Sequence, residues 1–211
     1  MANWITLARF PILAANGLLL YLGSPAVRLA GVGLLLIGLL LDTVDGVVAR
    51  RRGESSLFGS VLDIAADRTY ELVLWVCFAD LRLVPTALPL IVLVRTTLTD
   101  AVRAVGTRQG AAPFAEPRGR LSRFLVASAW SRTGYAAAKI VAFCGLAFIH
   151  AAGDTGTRTL IGRAGDALAE PVRIVTWVAV GLCVLRGLPV LVALRQQLAG
   201  VALGSTGRAR A

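Results

Sequence analysis

Residues 27–48 read VRLAGVGLLLIGLLLDTVDGVV. A helix that crosses a hydrocarbon layer needs roughly 20 mostly apolar residues, and this run supplies them. Its last turns nevertheless carry Asp42 and Asp45, and the chain continues as VARRRGESSLFGSVLDIAAD (48–67) to Asp63 and Asp67. A carboxylate at membrane depth is expensive and is retained where it has work to do. The stretch therefore poses fold and function together: a spanning helix that ends in acid, a short basic turn, and a second apolar helix that begins in acid.

Working outward, five further apolar runs have comparable length: Ile5 to Leu22, Leu57 to Leu81, Val84 to about Val105, Gly134 to Ala152, and Arg173 to about Leu194. With 56% hydrophobic residues over 211, the chain exceeds the 45–50% or so of soluble domains. The expected fold is an all-α integral membrane protein of six transmembrane helices, with an interfacial first turn or short helix over Ala2 to Leu7. One membrane catalytic domain is expected over residues 1–200, followed by a disordered cytoplasmic tail, 201–211. Arg9 inside the first run, with no basic stretch before it, argues against a cleaved signal peptide.

The formal charge is +10, with 22 basic residues against 12 acids. With this hydropathy the excess reads as orientation and not as nucleic-acid binding. Placing both termini in the cytoplasm puts Arg50 to Arg52, Arg108, Arg118, Arg120, Arg123, Arg208 and Arg210 inside. The predicted location is the inner or plasma membrane. Residues 110–130 are either an amphipathic surface helix on an anionic leaflet or an ordinary basic loop. Cys77, Cys144 and Cys183 lack metal or disulfide spacing and read as small hydrophobes. His150 reads as an interfacial residue at a helix end.

Asp42 and Asp45 are three residues apart and Asp63 and Asp67 four apart, so each pair shares a helix face. The turn between them is short, so the two helices are expected to lie antiparallel with all four carboxylates converging. Such a set must be protonated, paired with arginine (Arg50 and Arg68 are at hand), or bound to metal. An all-oxygen cluster suits Mg²⁺, Mn²⁺ or Ca²⁺, and divalent ions held this way serve phosphate chemistry. Gly46, Ala49 and Gly59 lie on or near the acidic faces, where small residues admit either a neighbouring helix or a ligand.

These residues fill every fixed position of D-x2-D-G-x2-A-R-x8-G-x3-D-x3-D: Asp42, Asp45, Gly46, Ala49, Arg50, Gly59, Asp63 and Asp67. The pattern resembles the signature of the CDP-alcohol phosphotransferases. The resemblance implies transfer of the phosphatidyl group of a CDP-linked lipid such as CDP-diacylglycerol to a small alcohol, with release of CMP. It implies a two-metal centre of Mg²⁺ or Mn²⁺ on Asp42, Asp45, Asp63 and Asp67, with Asp67 as general base. It implies CDP contacts from Asp45, Gly46, Ala49, Arg50 and Gly59, and a homodimer.

Asn3, Thr6 and Arg9 resemble the opening N-x2-T-x2-R of phosphatidylglycerophosphate synthases, which adds Thr6 to the CDP site. Arg95 and Arg103, eight apart, resemble the same enzymes' fourth-helix segment and suit a phosphorylated acceptor, although both also suit snorkelling to the interface. Arg132 and Lys139 stand where those enzymes carry a basic run, and Lys139 either faces the acceptor or reaches for headgroups. Thr96 departs from their usual Glu, and Asp67-Arg68 looks more like inositol-phosphate-using relatives. Glycerol 3-phosphate is thus the first expected acceptor, with inositol phosphate or another polar alcohol as the alternative. Two readings of other classes are a divalent-cation transporter, disfavoured because the acids sit toward one membrane side, and a non-catalytic lipid-binding scaffold. Arg186, mid-way along the last run beside Gly187 and Pro189, is expected against a wet cavity or a carboxylate, at a kink.

Overall fold

The computed structural model describes residues 2–52, 57–108, 129–156 and 158–208. Six helices and no strands occur among these residues: α1 Ala2–Leu22, α2 Pro25–Arg52, α3 Leu57–Asp80, α4 Ala87–Arg108, α5 Ala129–Gly153 and α6 Leu160–Arg208. Two segments, Thr133–Gly153 and Leu160–Leu188, are long and apolar enough to cross a membrane, while Thr6–Leu22 and Pro25–Leu41 are shorter apolar helices. The all-helical expectation holds.

The ends of several helices follow local chemistry. Pro25 opens α2 at the one position where a missing N–H costs nothing, and Arg28 N donates to Ser24 O at 2.8 Å. Helix α3 ends in a left-handed residue, Arg82, with φ 59°. Leu83 N donates to Phe78 O at 2.9 Å and Arg82 N to Ala79 O at 3.0 Å, the paired bonds that satisfy the last carbonyls of a helix. Thr159 caps α6, its hydroxyl accepting from Gly162 N at 2.9 Å.

Two boundaries differ from the sequence reading. Helix α1 is continuous from Ala2, with no separate interfacial element over residues 2–7. Helix α6 begins at Leu160, well before the expected Arg173, because the Thr159 cap starts a helix that hydropathy alone does not mark. It runs to Arg208. The stretch around Arg118, Arg120 and Arg123 lies outside the described residues.

The chain divides into two compact units, residues 1–89 with 137–178, and residues 90–136 with 179–211. In the first, α1 packs against α2 and α3. Trp75 and Phe143 meet edge-on at 4.9 Å between ring centroids, with Phe78 at 5.8 Å from Phe143, so aromatic rings join α3 to α5. Helices α5 and α6 approach through small residues: a Cβ on Gly165 would lie 2.6 Å from Ala152 Cβ, and one on Gly145 2.6 Å from Val172 Cγ2. Such close backbones are how helices associate where burial from water gives little drive.

At the end of this unit away from the acidic motif, Tyr21 donates to Asp80 Oδ2 at 2.8 Å and Arg28 pairs with Asp154. His150 Nε2 lies 3.1 Å from Leu20 O, an α1 C-terminal carbonyl that lacks a helical partner. This gives the expected interfacial histidine a concrete partner. Cys183 is buried and Cys77 and Cys144 are half-buried.

Gly38 on α2 faces Tyr70, and an added Cβ would collide with the tyrosine hydroxyl and sit 2.9 Å from Cζ. Tyr70 is buried and held by Asn16, so it cannot swing aside cheaply. Gly38→Ala is expected to cost about 1–3 kcal/mol through overpacking, readable as a lowered Tm of the detergent-solubilised protein.

Candidate active site

The motif divides between two helices. Asp42, Asp45, Gly46, Ala49 and Arg50 belong to the last turns of α2, and their side chains lie outside the described residues. Gly59, Asp63 and Asp67 belong to the first turns of α3. The four-residue step from Asp63 to Asp67 puts both carboxylates on one face, each partly exposed at 47% and 33% of the side chain.

Arg9 approaches this face from α1. Its Nη1 lies 3.8 Å from Asp63 Oδ1, and the arginine side chain is only 2% exposed. The guanidinium carbon sits 5.5 Å from the centroid of the Tyr70 ring, a cation–π placement. The Tyr70 hydroxyl accepts from Asn16 Nδ2 at 3.3 Å, and the same amide donates to Ile12 O at 3.1 Å. Arg9, Ile12 and Asn16 fall at helical spacing on one face of α1, where the polar side chains of Arg9 and Asn16 are buried. Thr6, expected at the CDP site, is itself buried one turn before Arg9.

On the other side of Asp67 stands a group absent from the sequence reading. Glu71 is buried at 3% exposure. Lys139 Nζ on α5 lies 3.3 Å from Glu71 Oε2 and 3.5 Å from Asp67 Oδ1. Arg68 Nη1 lies 3.7 Å from Glu71 Oε2 and 4.0 Å from Asp67 Oδ2. Lys139, expected in an acceptor pocket or among headgroups, thus stands across an acidic pair. The signal for Glu71 was present in the four-residue step, since 63, 67 and 71 form one register. The lysine 68 residues away was not.

The donor set fits a hard divalent cation. The two described motif carboxylates offer oxygens alone, one turn apart, partly exposed, and each faces its basic neighbours at the long end of ion-pair distance. Carboxylate oxygens of this kind are the preferred ligands of Mg²⁺ and Mn²⁺.

In the second unit, Arg95 is half-buried on α4 and runs along Gly187 of α6, where a Cβ would lie 2.9 Å from both its Cγ and its Nε. Only a residue without a side chain lets the arginine take this course. Arg95 Nε and Thr96 Oγ1 are buried with no hydrogen-bond partner among the described residues. Arg186, expected against a cavity or carboxylate, lies with its guanidinium carbon 5.6 Å from the Tyr135 ring centroid. The side chains of Arg103 and Arg132 lie outside the described residues.

Comparison with known proteins identifies the family. A family model described as CDP-alcohol phosphatidyltransferase matches residues 1–152, a span that holds the whole motif. "Inner membrane protein YnbA" of Escherichia coli (strain K12) is 30% identical over 131 residues, 61% of this chain and 65% of the relative. A CDP-diacylglycerol--glycerol-3-phosphate 3-phosphatidyltransferase of Rickettsia bellii (strain RML369-C) is 32% identical over 68 residues, 32% of this chain and 38% of the relative. The matched stretches cover less than two thirds of either relative's length. With the motif's Asp63 and Asp67 side by side on α3 and more than half of its length matched, the chain belongs to the CDP-alcohol phosphatidyltransferase family.

Proposed function

We propose that this protein is a six-span membrane enzyme that transfers the phosphatidyl group of CDP-diacylglycerol to a small phosphorylated alcohol, first of all glycerol 3-phosphate, and releases CMP. The observation that carries the reading is the pair of partly exposed carboxylates, Asp63 and Asp67, one turn apart on α3 within a completely filled family motif. Both termini and the reacting face belong to the cytoplasmic side in this reading, within one catalytic domain.

Asp42, Asp45, Asp63 and Asp67 would hold Mg²⁺ or Mn²⁺. The bound metal supplies charge neutralisation on the pyrophosphate and on the departing CMP. Asp45, Gly46, Ala49, Arg50, Gly59 and Thr6 would line the nucleotide. Asp67 accepts the proton of the acceptor hydroxyl as its oxygen attacks the β-phosphorus, which carries the lipid, and the pyrophosphate P–O bond to CMP breaks. Arg9 fixes Asp63 from behind the site. Arg95, with Arg103 and Arg132, would bind the acceptor's phosphate; the buried, unpartnered Arg95 Nε and Thr96 Oγ1 support a polar ligand in that region.

The deciding experiment incubates purified protein with CDP-diacylglycerol, Mg²⁺ or Mn²⁺ and a panel of alcohols, and measures CMP. Release driven by glycerol 3-phosphate and abolished by EDTA is expected. Inositol phosphate as the productive alcohol would replace the acceptor and leave the reaction class intact. Absence of release with every alcohol, alongside divalent-ion flux in liposomes, would replace the enzyme by a transporter. In the same assay Arg95→Ala should raise the KM for the acceptor about tenfold or more, the loss of one charge-assisted phosphate contact, with the donor's KM within about twofold. An unchanged acceptor KM would remove Arg95 from the acceptor site.

A further inference from the structure

Asp63 and Tyr70 stand seven residues apart on α3, so they share one face, two helical turns apart. Arg9 of α1 bridges them. Its Nη1 lies 3.8 Å from Asp63 Oδ1, and its guanidinium carbon lies 5.5 Å from the centroid of the Tyr70 ring. The arginine is 1% exposed and the tyrosine 2%. A buried guanidinium is costly unless its surroundings compensate it, and attraction to a ring face gains weight where water is excluded. An aliphatic side chain would fill the same space without that face. The ring is itself held from two sides. Asn16 Nδ2 donates to the Tyr70 hydroxyl at 3.3 Å and to Ile12 O at 3.1 Å. On α2, Gly38 leaves the hydroxyl room that any Cβ would take. Two neighbouring helices thus fix where the ring face lies, and with it the place of a long side chain that reaches a motif carboxylate.

We propose that Tyr70 is a positioning residue: its ring holds the Arg9 guanidinium, and through it Asp63, in the placement that binds a divalent cation. The inference rests on the reading of Asp63 as a ligand of that ion. Tyr70 has no place in the family motif and touches no reacting atom; it acts through Arg9. Arg9 and Asp63 make further contacts, so the contribution of Tyr70 is the part that vanishes when Arg9 is absent.

The test is a double-mutant cycle read as binding of Mn²⁺ alone, by the EPR signal of the free ion, to the full chain in detergent. Tyr70→Leu should bind Mn²⁺ about fivefold more weakly than wild type, the modest end for a buried cation–π contact. Tyr70→Phe keeps the ring and loses only the hydroxyl. It should stay within about twofold of wild type in affinity and lower the Tm, because Asn16 loses a partner. In the Arg9→Met background, Tyr70→Leu should change the affinity by less than about twofold. A tyrosine that only packs the core would give the same loss in both backgrounds, and that result overturns the inference. Equal affinity in folded Tyr70→Leu and Tyr70→Phe overturns it as well, a comparison that stands even if Arg9→Met does not fold. Tyr70→Met, more adaptable in a core, takes the place of Tyr70→Leu should that variant not fold. Asp63→Asn separates the two levels. If it weakens Mn²⁺ binding while Tyr70→Leu does not, the inference fails and the divalent site stands. If Asp63→Asn leaves binding unchanged, the reading of Asp63 fails and the inference falls with it.

Discussion

Asp67→Asn is expected to lower kcat for CMP release by about a thousandfold, within the range that general-base catalysis supplies, while the CDP-linked donor still binds at saturating Mn²⁺. Asparagine keeps the shape of the side chain and loses its basicity. The fold should survive, because Asp67 is a third exposed and Lys139 and Arg68 retain the buried Glu71 as a partner. Metal affinity should weaken, which is why the donor is tested at saturating ion. The measurement is CMP release alongside equilibrium binding of CDP-diacylglycerol in the same micelles. Donor binding lost in step with turnover would make Asp67 a ligand for the donor's metal and not the base.

The second large effect concerns Asp63 and is asymmetric. Asp63 is 47% exposed at its side chain, whereas its partner Arg9 is 2% exposed. Removing the aspartate's charge weakens the neutralisation of a buried guanidinium; removing the arginine leaves a carboxylate with access to water. Breaking a buried pair from the side that keeps the buried charge is the costly direction. Asp63→Asn is therefore expected to destabilise by about 3 kcal/mol, the low end for a buried pair because this one is long and half-open, and to abolish turnover. Arg9→Met should destabilise less. Arg9→Met combined with Asp63→Asn should recover much of the Tm lost in Asp63→Asn and none of the activity. Equal Tm losses for the two single variants would mean that the Tyr70 face and the surrounding polar groups hold Arg9 without help from Asp63. The contrast with Asp67→Asn is informative: one motif aspartate is tied into the fold through a buried cation, and the other is balanced by a pair that Glu71 also serves.

Much of this protein is local in its logic, and the order of its residues is enough to specify that part. Apolar runs of spanning length specify helices because a backbone in lipid must satisfy its own hydrogen bonds. The three- and four-residue steps of Asp42, Asp45, Asp63 and Asp67 place acid on helix faces through the helical repeat alone. The motif's fixed spacing was likewise readable without coordinates, and the family match spans the same residues.

Other features needed the tertiary structure, because they join residues far apart in the chain. The pairing of Lys139 with Glu71 spans 68 residues, that of Arg28 with Asp154 spans 126, and the Asn16–Tyr70 bond spans 54. Hydropathy also misplaced the start of α6, since Arg163, Asp166 and Glu170 interrupt the apolar run without interrupting the helix. A carboxylate's spacing says which face it occupies. Only the packing of α1 and α5 against α3 decided which cation each one meets, because a charge pair depends on distance in space and on how much water lies between.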